Sequence, residues 1–125
     1  MNAHRYIQVE RRDDACCVRL RKAHLEESEM AAMAEEFLGL VEDEGCRKIA
    51  LALGPEPPEF LYSVFLARLV QVRRALAERG GDMALCYAGP EVRNIFACCS
   101  LDNLFRFYPD FDSALAAWSR GAATT

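Results

Sequence analysis

Ser63 is the hydroxyl whose setting in this chain most invites chemistry. It lies in "EPPEFLYSVF", Glu56 to Phe65, where two prolines and two acids give way to an apolar run, so a loop is expected to become a helix at the serine. A phosphate placed there would meet unpaired backbone N–H groups and the positive end of the helix dipole. The same position suits a helix N-cap, in which the serine oxygen accepts from an N–H two or three residues on and contributes about 1 kcal/mol. Both roles put the oxygen in one place, and at this point both stay open.

Nucleophilic catalysis would need more than a hydroxyl: a base within hydrogen-bond reach and a third group to orient that base. The histidines are His4, near the start, and His24, in the turn after the second expected strand. There is no G-x-S-x-G elbow and no glycine-rich phosphate loop, and "GPEPPE" has the wrong residues for a nest of N–H groups. No catalytic residue is assigned, and the chain is read as a non-enzyme. The six cysteines fall at Cys16-Cys17, Cys46, Cys86 and Cys98-Cys99, with no C-x-x-C and no histidine at zinc-finger spacing. They are read as reduced thiols acting as small hydrophobes, so neither a metal nor a cofactor is expected. Adjacent cysteines on a strand face opposite ways and rarely bridge, which speaks against a redox role for the doublets. Of the paired carboxylates, Glu26-Glu27 and Glu35-Glu36 fit a solvated helix face, and Asp112 is the expected N-cap of the last helix.

These residues must be positioned by elements that the apolar periodicity makes visible. Tyr6 to Glu10 alternate and end in the charged turn "RRDD", Ala15 to Leu20 reads as a second strand, and together they predict an opening hairpin. Leu25, Met30, Met33, Phe37, Leu40 and Val41 recur at helical spacing, with Gly45 as a stop. "RKIALAL", Arg47 to Leu53, is short and almost wholly apolar, as expected of a central strand buried on both faces of a parallel sheet. Val64, Leu66, Leu69, Val70, Val72 and Leu76 mark a second helix that ends at Gly80-Gly81. The strand "DMALCYA", the short helix "EVRNIFACC", the strand "RFY" and the helix "DFDSALAAW" follow, with "ATT" as a frayed tail. Strands alternating with helices of these lengths predict an α/β fold with a four- or five-stranded mixed sheet and about four helices. Ligands and modifications in such sheets gather where a strand's carboxyl end feeds a helix, and Leu53 to Ser63 is such a junction.

With 125 residues the chain is sized for one domain, read as residues 1–125 with a core of about 6–118 and a tail at 119–125. A net charge of −4 and dispersed basic residues would repel a phosphate backbone, so nucleic acid is not an expected partner. No run approaches the roughly 20 apolar residues of a spanning helix, and "MNAHRYIQVERR" lacks a signal-peptide core. No membrane association is expected, and the expected location is cytoplasmic.

In order and spacing the chain resembles the STAS family, the anti-sigma factor antagonist fold, from about Tyr6 to Trp118. "ERGGDMALCYAGPEVRNIF" and "LDNLFRFYPDFDSALAAW" carry most of the resemblance. It implies a single small STAS-like domain that works by partner switching. The unmodified form binds an anti-sigma factor or related switch kinase, and phosphorylation of one serine breaks the complex. The family's phosphoserine lies in Asp-Ser-x-Gly at a helix start. Here the aligned residues are Tyr62, Ser63, Val64 and Phe65, so the serine is kept while Asp and Gly are replaced.

The candidate partner surface is therefore Glu56, Glu59, Phe60, Tyr62, Ser63 and Phe65, extended by His24 and by Glu91 at the "GPEV" helix start. Prolines stiffen the loop, the acids make it a poor place for a second negative group, and the aromatic residues offer an apolar patch. At helical spacing at least two of Phe60, Leu61, Tyr62 and Phe65 are expected to be buried. Phe65 is also expected to add bulk where the family keeps a glycine. A second reading is a STAS-like scaffold without a switch, used for constitutive assembly or as a homodimer.

Overall fold

The computed structural model describes residues 4–12, 14–22, 25–54 and 63–124, with the side chains of Ser63 and residues 120–124 outside that description. Five strands form one sheet in the order of the chain: β1 (Ile7–Arg12), β2 (Ala15–Leu20), β3 (Lys48–Ala52), β4 (Asp82–Cys86) and β5 (Arg106–Tyr108). β1 is antiparallel to β2, with Val9 opposite Val18, and the remaining pairs are parallel. Four helices complete the fold: α1 (Glu27–Glu42), α2 (Ser63–Glu78), α3 (Pro90–Cys98) and α4 (Phe111–Thr124). The architecture is the expected α/β fold, with a mixed sheet of five strands and β3 at its centre.

α1 forms because Met30, Met33, Ala34, Phe37, Leu40 and Val41 fall on one helical face, and all are buried. Its first turn is closed by a capping box in which the Glu26 N–H donates to Glu29 Oε1 at 3.0 Å. Its last turn is closed by Gly45, whose φ of 69° lets the Cys46 N–H reach back to the Leu40 carbonyl at 2.8 Å. α2 buries Phe65, Leu66, Leu69, Val72, Ala75 and Leu76 beside α1.

Both helices, with Val92 and Phe96 of α3, cover the sheet face that carries Cys16, Val18, Ile49, Leu51, Met83 and Leu85. α4 covers the opposite face, where Cys17, Ala50, Ala52, Ala84 and Cys86 meet Phe111 and Ala114. Among the described residues no polar or charged one is buried.

Two expectations at the last helix change. α4 runs to Thr124, six residues past Trp118, because Ser119 to Thr124 contains no proline to stop it. Its cap is Asp110, whose Oδ1 accepts from the Ser113 N–H at 2.7 Å. Asp112 instead lies inside the first turn and pairs with Arg12 at 2.7 Å.

Candidate protein-interaction site

Strands β2 to β5 are parallel and each is followed by a helix, so all four helices begin at the sheet's carboxyl edge. That edge is where open α/β sheets present ligand and partner sites. Ser63 is the first residue of α2 and so stands at this edge, at the end of the connection from β3. Glu56, Glu59, Phe60, Tyr62 and His24 lie outside the described residues. Glu91 is exposed in the first turn of α3, a second helix start on the same edge. Gly89 caps that helix with extended backbone (φ −77°, ψ 174°), and Pro90 occupies its first turn, where a missing N–H costs nothing.

Phe65 requires a correction. It was expected on the partner surface, yet it is fully buried and packs in the large core cluster. The reason is the helical period: Phe65, Leu69, Val72 and Leu76 follow one stripe, and that stripe faces the core. Its ring therefore adds no bulk to the outer surface of the helix start.

The described part of the edge contains a cluster that sequence reasoning missed. The Arg19 guanidinium, exposed near the end of β2, stands 5.3 Å from the Tyr87 ring centre and 4.9 Å from that of Phe111. The two rings meet edge to face at 5.2 Å, and the Phe111 N–H points to the Tyr87 hydroxyl at 3.5 Å. Each cation–π contact at such an exposed site is worth about 0.5–1 kcal/mol. Tyr87 holds this place with left-handed backbone, φ 60°.

Gly54, where the chain leaves β3, passes so close to Tyr87 that a Cβ there would stand 2.1 Å from the Tyr87 carbonyl oxygen. Only glycine permits that approach without backbone movement. The signals were present but unread: a lone arginine interrupting the apolar run of "ACCVRL", and a glycine directly after an apolar strand.

On the α1 side of the edge, Lys22 bonds Glu29 at 3.0 Å and lies 5.7 Å from the Tyr6 ring centre. Lys22 and Arg19 both stand on the described part of the edge. Asp110, at the start of α4, is held below the ordinary carboxyl value of 3.8, chiefly by the hydrogen bond from the Ser113 N–H. Among the described residues no group of three or more His, Cys, Asp or Glu could hold a metal ion, and no helix is long and apolar enough to cross a membrane.

Comparison with known proteins bears on this edge. A search of curated proteins returned no match. Among solved structures, the chain is similar to an anti-sigma-factor antagonist (STAS) domain protein from Planctomyces limnophilus, with 25% identity and a TM-score of 0.76 over 90% of this chain and 97% of that one. It is similar to an anti-sigma factor antagonist from Mycobacterium paratuberculosis, with 26% identity and a TM-score of 0.71 over 89% and 91%. It shares the fold of the Bacillus cell fate determinant SpoIIAA in its phosphorylated form, with 16% identity and a TM-score of 0.67 over 89% and 97%. The STAS domain family model matches residues 6–114, from before β1 into α4. Carrying that match across all five strands in an arrangement shared with anti-sigma factor antagonists, the chain belongs to the STAS domain family.

Proposed function

We propose that this chain is a non-enzymatic, protein-binding regulator that acts as an anti-sigma factor antagonist by partner switching. Its partner is an anti-sigma factor or related switch kinase, docked on the carboxyl edge around the start of α2. Ser63 is the phosphoacceptor that ends the complex. The observation that carries this reading is the place of Ser63: it opens α2 at the carboxyl edge of a STAS fold.

Physical chemistry supports each step. The first N–H groups of α2 and its dipole favour a phosphate at that serine. The added charge of about −1.5 to −2 would repel an acidic partner surface and cost an apolar one its desolvation. The burial of Phe65 removes one obstacle, because the position aligned with the family's glycine leaves no ring in the way of an approaching kinase backbone. Glu56, Glu59, Phe60, Tyr62, His24 and Glu91 remain the proposed contact residues, and Arg19 is added to them.

Two measurements test the proposal. Incubation with ATP and an anti-sigma factor kinase should add one phosphate, mapped to Ser63 by peptide sequencing. Ser63→Glu should weaken binding to that kinase by about tenfold or more, through the charge it adds at the interface. Equal affinity of Ser63→Glu and the unaltered chain would remove the switch and leave constitutive binding by the same edge.

A further inference from the structure

Far from that edge, two cysteines separated by thirty positions in the chain meet inside the fold. Cys16, in β2, and Cys46, in the turn between α1 and β3, bring their Sγ atoms to 2.9 Å. A disulfide bond is about 2.05 Å long, so the sulfurs stand less than about 1 Å beyond bonding distance. Both side chains face the α1 side of the sheet and are almost wholly buried.

Cys46 nevertheless follows directly on Gly45, which is exposed. Cys16 pairs in register with Arg11 of the edge strand β1. Arg11 lines a shallow surface cleft with His4, Gln8, Val9, Arg21 and Glu44, and its guanidinium meets Glu44 Oε1 at 3.3 Å. The sulfur pair is thus one strand from solvent and beside a cation.

The two thiols are not equivalent. The hydrogen bond with Cys16, aided by the charge of Arg11, pulls Cys46 down to about 7 against the effect of burial, while Cys16 is raised by the same bond and by burial. The shared hydrogen bond lets one sulfur of the pair give up its proton more readily than the other. Cys17 and Cys86 lie on the α4 face, where burial pushes Cys86 up to about 12.

We propose that Cys16 and Cys46 are a peroxide-oxidisable dithiol that closes to an intrachain disulfide, tying β2 to the α1–β3 turn. The Cys46 thiolate attacks one oxygen of hydrogen peroxide. An S–O bond forms, the O–O bond breaks, and the departing hydroxide takes a solvent proton to become water. The Cys16 sulfur then attacks the Cys46 sulfenic acid. The S–S bond forms as the S–O bond breaks, and the hydroxide leaves with the Cys16 proton as a second water. Two electrons pass from the thiols to the peroxide, and an external dithiol reductant reverses the change by being oxidised itself. The bond closes a loop from β2 through α1, so the oxidised chain resists peeling of its opening hairpin and first helix.

The test uses the full chain with Cys98→Ser and Cys99→Ser, which removes the exposed thiols. After hydrogen peroxide the intact mass should fall by two hydrogen atoms, and a digest should contain a peptide of Cys16 linked to one of Cys46. Tm should rise by roughly 10 °C and return on treatment with dithiothreitol. Adding Cys46→Ala should abolish the mass loss. The mapping needs no core substitution, so it stands even if that variant folds poorly. An unchanged mass at peroxide levels that oxidise Cys98 and Cys99 of the unaltered chain would overturn the proposal. So would a link to Cys17 or Cys86, or a link that forms only in denaturant. None of these outcomes bears on binding at Ser63.

Discussion

On β3, Ile49 and Leu51 point toward α1 and α2, whereas Ala50 and Ala52 point toward α4; on β4 the same alternation separates Met83 and Leu85 from Ala84 and Cys86. Bulk on one face lets two long helices share a thick apolar layer with it. Small residues on the other let a single helix come close, with the volume supplied from the helix by Phe111, Leu115 and Trp118. A period-two strand can thus carry two packing regimes at once. The thin face also leaves uncovered the edge where Arg19 rests on Tyr87 and Phe111. The thick face holds the fold together, and the thin one sets how α4 frames the site.

The largest effect that could break this contrast is expected on the thick face. Phe37 is fully buried in α1, and Phe37→Ala should cost about 3–5 kcal/mol through lost burial and the cavity left behind. Urea unfolding followed by far-UV circular dichroism measures it. Trp118, the one tryptophan of the chain, sits on α4 and should keep its native emission in this variant. A loss below about 1 kcal/mol would mean that the thick face collapses around the gap and is not the main support.

The thick face was legible because it follows from one rule. Leu25, Met30, Met33, Phe37, Leu40 and Val41 share a helical spacing and all are buried, and "RFY" is the strand Arg106–Tyr108. The thin face was not, because "RKIALAL" looks uniformly apolar until its alanines are set against its larger residues. Phe65 stands both among the candidate contacts and among the four residues of which helical spacing buries at least two, and the stripe it shares with Leu69 and Val72 settles it as a buried one. The Cys16–Cys46 contact depends on strand register: Cys16 pairs with Ile49, which puts the turn three residues upstream beside it. No local pattern encodes that pairing. For the candidate site, periodicity placed Ser63 at a helix start, but the Arg19, Tyr87 and Phe111 cluster arises from three separate elements and had no sequence motif to reveal it.

A smaller effect is expected from overfilling the thin face. Ala50 is fully buried on β3 beneath α4, and Ala50→Leu should cost about 1–3 kcal/mol by forcing the helix outward. The signature that separates it from Phe37→Ala is spectroscopic. Trp118 is half-buried, with its indole N–H directed to Asp82 Oδ2 at 3.3 Å, so displacement of α4 should shift its emission to the red. An unmoved spectrum with full stability would show that the small residues are not what sets the approach of α4.

The smallest effect tests how α4 is anchored where it starts, at Asp110. Its carboxylate accepts the Ser113 N–H at 2.7 Å, and that bond holds its proton affinity below the ordinary value of 3.8. A group whose folded value lies below its unfolded value stabilises the fold fully above the unfolded value and loses that contribution as pH falls through the folded one. Asp110→Ala should therefore lower Tm at neutral pH, and its gap to the unaltered chain should narrow only below pH 3.8. Asp110→Asn keeps a side-chain oxygen as acceptor but does not titrate, so its Tm difference from Asp110→Ala should stay constant across the same range. Melts followed by Trp118 emission report on α4 directly. If the gap between the unaltered chain and Asp110→Ala persists undiminished at about pH 2.5, the cap acts as a neutral hydrogen bond and its charge contributes nothing. If the gap closes while the Asn variant holds its advantage, the charge of Asp110 is what sharpens the start of α4 beside the Arg19 cluster.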